Sequence, residues 1–133
     1  MELTNKEVVT EFFVEGYVNH NYDRLIEIMA DDYYDNSPCA ARSSQECINV
    51  LKNTEKSFPD MQVNILDLIE ENSKVTVRAL FSGTYKGGMY DIPIHNKSIT
   101  FEALEIFHVE NGLIVESWGY WPDSQIKKFL TEK

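Results

Sequence analysis

The hydrophobic pattern changes period near residue 60, and this constrains the fold more than any other feature of the chain. Upstream, apolar residues recur every three or four positions, the spacing of one helical face. Downstream they alternate, the spacing of a strand. Helices first and then a run of strands indicate an α+β domain with an antiparallel sheet rather than a doubly wound parallel one.

Three helices are expected before the change. Thr4 and Glu7 form a capping box ahead of the stripe Val8, Val9, Phe12, Phe13 and Tyr17, and Asn19-His20-Asn21 breaks the helix. Asn21 or Asp23 caps a short second helix carrying Leu25, Ile26, Ile28 and Met29, which Asp31-Asp32 closes; Tyr33 to Asn36 reads as a short extended piece. Ser43 and Glu46 make a second capping box, opening a helix with Cys47, Val50, Leu51, Thr54 and Phe58 on its apolar side. Pro59 ends it, because the residue before a proline is pushed out of helical geometry.

Four strands are expected next, over 61–70, 74–85, 98–109 and 113–121, with a loop over 86–97 and a terminal helix over 123–130. Asn111-Gly112 supplies the positive φ angles of a tight hairpin. In the last two strands both parities are apolar: Leu104, Ile106, Ile114, Trp118 and Tyr120 on even positions, Phe101, Ala103, Phe107, Val109, Leu113 and Val115 on odd ones. One face can cover the helices; the other asks for burial too, most simply against a second copy, so a homodimer through the sheet is expected.

The 133 residues fit one domain, 1–133, with no internal repeat or linker. A content of 43% hydrophobic and 12% aromatic residues is globular. A net charge of −10 and the lack of any basic run argue against nucleic acid and anionic membrane surfaces as partners. Cys39 and Cys47 match no zinc spacing and read as inert thiols. The charged N-terminus does not read as a secretory leader, no apolar run approaches a membrane span, and a reduced cytoplasmic protein is the default expectation.

Four segments, in order, carry a resemblance: Phe58-Pro59-Asp60, then Phe81-Ser82-Gly83-Thr84-Tyr85-Lys86-Gly87, then Ile92-Pro93, and last Phe107-His108-Val109-Glu110-Asn111-Gly112-Leu113-Ile114-Val115-Glu116-Ser117-Trp118. Together they resemble the SnoaL-like polyketide cyclases. The resemblance implies the cone-shaped fold of the nuclear-transport-factor-2-like superfamily: three N-terminal helices packed on a curved antiparallel sheet, with a short C-terminal helix. It also implies an intramolecular aldol closure on a hydrophobic carbonyl compound, without metal or organic cofactor. In it an aspartate takes a proton α to a carbonyl, and a histidine and an asparagine stabilise the enolate. Such a carboxylate works because an apolar cavity raises its pKa towards neutrality.

Carried over residue by residue, the resemblance makes His108 the pocket histidine and Asn36 the pocket asparagine, with Trp118 and Tyr120 lining the cone on His108's side. The family aspartate falls at Pro122, and Asp123 follows one residue later. Asp123 therefore reads either as the general base or as the cap of the last helix. His108 reads as a proton shuttle or as an ordinary strand histidine. Phe13 and Tyr17 read as core and, secondarily, as ligand wall. Asp67 reads as a bulge or outer-face residue or as one pointing into the cone, His95 as exposed in the loop or as part of a cover over the cone's mouth, and His20 as a helix-end residue.

A ketosteroid-isomerase-type site would need an acid where this chain has Ser37, before Pro38; an epoxide-hydrolase-type site would need an Asp-Arg-Asp set that Arg78 and Asp67 only partly supply. The alternative of a different class is a non-catalytic module holding a small hydrophobic molecule in the same cone.

Overall fold

A computed structural model describes residues 2–38, 41–93 and 96–132. Cys39 and His95 lie outside the described residues. The first helix, α1, spans Asn5–Phe13 behind the expected Thr4–Glu7 capping box and buries Val8, Val9, Phe12 and Phe13. It runs on as a π turn over Val14–Val18. The wider turn is closed by Asn19 N–H donating to the Val14 carbonyl at 2.9 Å, and the Tyr17 ring packs on Phe12 and Phe13 at 6.1 and 5.8 Å between ring centres. Helix α2 is Tyr22–Ile28 and α3 is Ser44–Ser57, the latter begun by Ser43 accepting from the Glu46 N–H.

Four of the strands match the alternating pattern: β2 Gln62–Glu71, β3 Lys74–Thr84, β4 Ser98–Glu110 and β5 Leu113–Tyr120. A fifth strand, β1 over Met29–Asp35, precedes them. It absorbs Asp31 and Asp32, expected above as the close of the second helix, and pairs parallel with β5. The sheet is therefore mixed, in the order β1-β5-β4-β3-β2. Asn111 and Gly112, at φ of 50° and 78°, make the β4–β5 hairpin as expected. Helix α4, Asp123–Thr131, closes the chain.

One face of the sheet packs on the helices. Val75, Val77, Ala79 and Phe81 of β3, with Phe101, Ala103, Phe107 and Val109 of β4, are buried there. Phe13 lies 5.5 Å from Phe107 and 6.1 Å from Phe81, ring centre to ring centre. Burying such rings is the main stabilising contribution, at about 1.5–3 kcal/mol per large side chain. On β5 the parity breaks, because the register shifts between His108 and Val109. Ile114 and Ser117, of opposite parity, both end up buried. No described helix is long and apolar enough to cross a membrane.

Candidate functional site

Between the helices and the concave face of the sheet lies a cavity of about 390 Å³. Its inner end is built by the end of β1 and the middle of β4 and β5, where Tyr33, Asp35, Glu105 and Gly119 meet. Phe12, Tyr17 and Trp121 form aromatic walls. Met89 and Tyr90 of the loop, with Asp123 and Lys127 of α4, stand at the mouth. Tyr17 and Trp121 rings are 6.1 Å apart, and Phe81 and Phe101 back Trp121 at 4.8 and 5.1 Å.

Glu105 is the most unusual group in this lining. It sits on β4 between Ala103 and Phe107, at an inward position, and lines the cavity. Burial raises its pKa, the Trp121 indole N–H opposes the rise from 3.4 Å, and the nearby Asp35 charge adds to it; the result is pushed up to about 7. Its Oε2 takes the Trp121 hydrogen bond, and Oε1 accepts none among the described residues. Asp35 is buried at 7% exposure, and its Oδ1 accepts the Ser37 N–H at 2.8 Å. Tyr33 shares a hydrogen bond with Ser117 Oγ, and burial raises its pKa well above the usual phenol value, so it stays protonated.

Of the residues singled out from the sequence, Tyr17 and Asp123 line the cavity. Asp123 is the first residue of α4, and its side chain makes no cap; its Oδ1 accepts the Tyr90 hydroxyl instead. The cap reading is thereby corrected: the backbone of Pro122 occupies the cap position.

His108, Trp118 and Tyr120 stand on the other face of the sheet. The inward positions of β4 are odd-numbered, and after the register shift the inward positions of β5 are Ser117 and Gly119, so the even-numbered residues point outward. Out there His108 Nε2 lies 3.2 Å from Glu110 and its Nδ1 3.9 Å from Glu116, while Lys74 lies 5.2 Å over the Trp118 ring. His108 and Asp123 are thus not brought together. Asn36 follows β1 with its amide given to Glu116 and to the Ser117 carbonyl, both at 3.1 Å, and does not line the cavity. Phe13 is sealed in the core at 0% exposure. Arg78 pairs with Asp67 at 2.6 Å and Glu102 at 2.5 Å, away from the cavity, so no Asp-Arg-Asp set faces it.

Sequence reading missed Glu105 and Asp35. The signal for Glu105 was present: a lone carboxylate in the odd-numbered run Phe101, Ala103, Glu105, Phe107, Val109, all apolar otherwise. Asp35 gave none, since the strand carrying it was read as a short extended piece. Among the described residues no group of three or more His, Cys, Asp or Glu is placed to hold a metal ion.

A cone of helices and mixed sheet around an acid-bearing aromatic cavity defines the class of protein, a small α+β domain of the nuclear-transport-factor-2-like type. Within that class the profile of the SnoaL-like polyketide cyclase family matches residues 7–128, and the chain belongs to that family. The fold is similar to that of a candidate SnoaL-like polyketide cyclase from Jannaschia sp. CCS1, with a TM-score of 0.90 at 18% identity, covering 97% of this chain and 92% of that one. TsrD from Streptomyces laurentii superposes with a TM-score of 0.87 at 20% identity, over 98% of both chains. A SnoaL-like polyketide cyclase from Agrobacterium tumefaciens strain C58 gives 0.81 at 17% identity, covering 96% of this chain and 98% of that one. No curated protein matches in sequence.

Proposed function

We propose that the chain is an acid/base catalyst of the cyclase or isomerase type, acting on a hydrophobic carbonyl compound held in the cavity, with Glu105 as the group that moves the proton. The observation that supports this reading is a carboxylate raised to about 7 inside an aromatic cavity. A general base is most effective when its pKa lies near the working pH. Ionised Glu105 takes a proton α to a carbonyl. The enolate carbon adds to a second carbonyl of the same molecule, and the resulting alkoxide takes the proton back. Atoms balance without a co-reactant. Tyr33, kept protonated by burial, and Tyr17 supply phenolic donors in the lining for the developing enolate oxygen.

Hydrogen exchange at the α-carbon tests this without knowledge of the natural substrate. With an aryl ketone such as tetralone in heavy water, the protein accelerates deuterium uptake, with a rate that rises with pH and levels off above about 7. Glu105→Gln lowers that rate by about 10²-fold or more. Binding of the ketone with no acceleration of exchange makes the chain a non-catalytic binding module instead.

The proposal includes a homodimer through the outer face of the sheet. That face carries Leu104 and Tyr120, 44% and 64% exposed, beside Ile106 and Trp118.

A further inference from the structure

A glutamate side chain is long and rotamer-rich, and a base is effective only when the reacting atoms are held about 3–3.5 Å apart. The Glu105 carboxylate therefore needs a tether, and the Trp121 indole provides one: its Nε1–H donates to Oε2 at 3.4 Å. The indole is itself clamped. Phe81 and Phe101 lie 4.8 and 5.1 Å from it and stack on each other at 5.3 Å, while Tyr17 closes from the π turn at 6.1 Å. Its backbone is fixed as well, because the Trp121 carbonyl accepts the Asp123 N–H at 2.9 Å as the chain turns through Pro122 into α4. A bond of 3.4 Å is long for N–H···O, but catalytic hydrogen bonds commonly shorten on passing from the free to the ligand-bound state. With Oε2 tethered, Oε1 is the oxygen left for proton transfer, and it lies beside Gly119, where there is no side chain to crowd it.

We propose that Trp121 is the positioning residue of this site: its indole N–H holds Glu105 Oε2, so that Oε1 is the atom that takes the proton from the α-carbon of the substrate. This rests on the reading of Glu105 as the proton-moving group, and it deepens that reading. The tether also favours the ionised carboxylate against the burial that keeps it protonated, so the contact that aims the base eases its ionisation too. The described titratable groups that line the cavity with Glu105 are Tyr17 of the π turn, Tyr33 and Asp35 of β1, Cys47 of α3, Tyr90 of the loop, and Asp123 and Lys127 of α4. A change confined to Trp121 leaves all of them in place, so a shift in titration reads the lost tether.

The pH profile of α-proton exchange on tetralone in Trp121→Phe tests the inference, since this variant keeps a ring against Phe81 and Phe101 and removes the N–H. Loss of a bond to the ionised form is expected to raise the midpoint by about half a pH unit above its value near 7. A base of higher pKa is intrinsically stronger, so on electronic grounds alone the plateau at high pH would rise. The plateau is expected to fall instead, by about tenfold, because the carboxylate is no longer aimed, while tetralone affinity stays within about twofold. Loosened packing without a positioning role gives the opposite titration: water reaches Glu105 and the midpoint moves down towards 4.5, which overturns the inference. Replacing Trp121 by benzothienylalanine in a Trp118→Phe background keeps the shape of the indole without its N–H, and guards against a variant that fails to fold. The same rise in midpoint and loss of plateau are expected there; an unchanged profile in both proteins overturns the inference. A nitrogen NMR titration reads the contact directly. The Trp121 Nε1–H resonance is expected to shift with a midpoint near 7 and to stay still in Glu105→Gln. A resonance that does not respond, in a protein whose Glu105 carboxyl titrates near 7 by carbon NMR, removes the tether and leaves the acid/base reading standing. A carboxyl midpoint near the ordinary 4.5 removes that reading and the inference with it.

Discussion

Glu105 and Gly119 face each other across the β4–β5 ladder, and a side chain at Gly119 would put its Cβ 3.3 Å from Glu105 Oε1. The glycine leaves room for the Glu105 carboxylate to approach the β5 backbone. Gly119→Ala displaces Oε1 by a few tenths of an ångström, and the flexible end of Glu105 absorbs it. The expected result is a loss of about tenfold in α-proton exchange, since small misplacements of a reacting group are costly. Stability, followed by urea unfolding, should change by less than about 1 kcal/mol. An unchanged exchange rate would show that the position of Oε1 is not critical.

Glu105 also makes stability depend on pH. Folded, it holds its proton up to about pH 7; unfolded, it releases it near 4.5. Between those values the folded state binds more protons, so stability falls as pH rises through the window. Above it the desolvated charge costs about 3 kcal/mol, an upper figure because cavity water screens part of it. Glu105→Gln is therefore expected to be more stable than the parent at pH 8, with the difference narrowing to below about 1 kcal/mol at pH 5. Urea denaturation at the two pH values measures both. A variant equally or less stable at pH 8 contradicts the buried-charge account.

The loop at the mouth is held from within. Tyr85 takes the Met89 N–H at 2.9 Å and donates to the Ile92 carbonyl at 2.5 Å, and Tyr90, at φ 54°, reaches from this turn to Asp123. Tyr90→Phe removes this contact and Asp123→Asn replaces its carboxylate acceptor by a weaker amide one, so each should speed ligand dissociation, Tyr90→Phe several-fold, and the double variant should do no more than Tyr90→Phe alone. Stopped-flow dissociation of bound tetralone reads this. Exchange catalysis should survive in Asp123→Asn within about fivefold, because the base is assigned to Glu105. Its abolition, with binding intact, would return the role of base to Asp123.

Much of the fold could be read from periodicity and caps, because those signals are local. The Thr4–Glu7 box, the Asn111-Gly112 hairpin and the alternation of β3 depend on residues within a few positions of one another. Strand β1 could not be read this way. Its Asp31 and Asp32 have low strand propensity, are both exposed and fall in the register shift between Met29 and Tyr34; the strand is set by the pairing of its two ends with β5, a contact more than eighty residues distant. The site was less legible for the same kind of reason. His108 was aimed at the cavity by the family resemblance, and Trp118 and Tyr120 as sharing its face, but which parity faces inward is a tertiary fact, and the register shift in β5 reverses it midway along that strand. Asp123 was a candidate base through the resemblance, beside its reading as a helix cap, while the partner that holds it, Tyr90, comes from the loop.

The outward residues then need another explanation. Leu104 and Tyr120 pair across β4 and β5, as do Ile106 and Trp118, and this apolar strip runs beside the charged set of Arg78, Asp67 and Glu102. An apolar strip rimmed by paired charges suits a self-complementary contact related by a two-fold axis, in which each strip covers the other and the ion pairs lie at the border. The expected outcome is a dimer by sedimentation equilibrium at micromolar concentration. Tyr120→Glu should shift it to monomer, by placing two like charges near the axis, while leaving tetralone binding within about twofold because Tyr120 does not line the cavity. A parent protein that sediments as a monomer at that concentration removes the dimer. A Tyr120→Glu dimer as tight as the parent's moves the contact to some other surface.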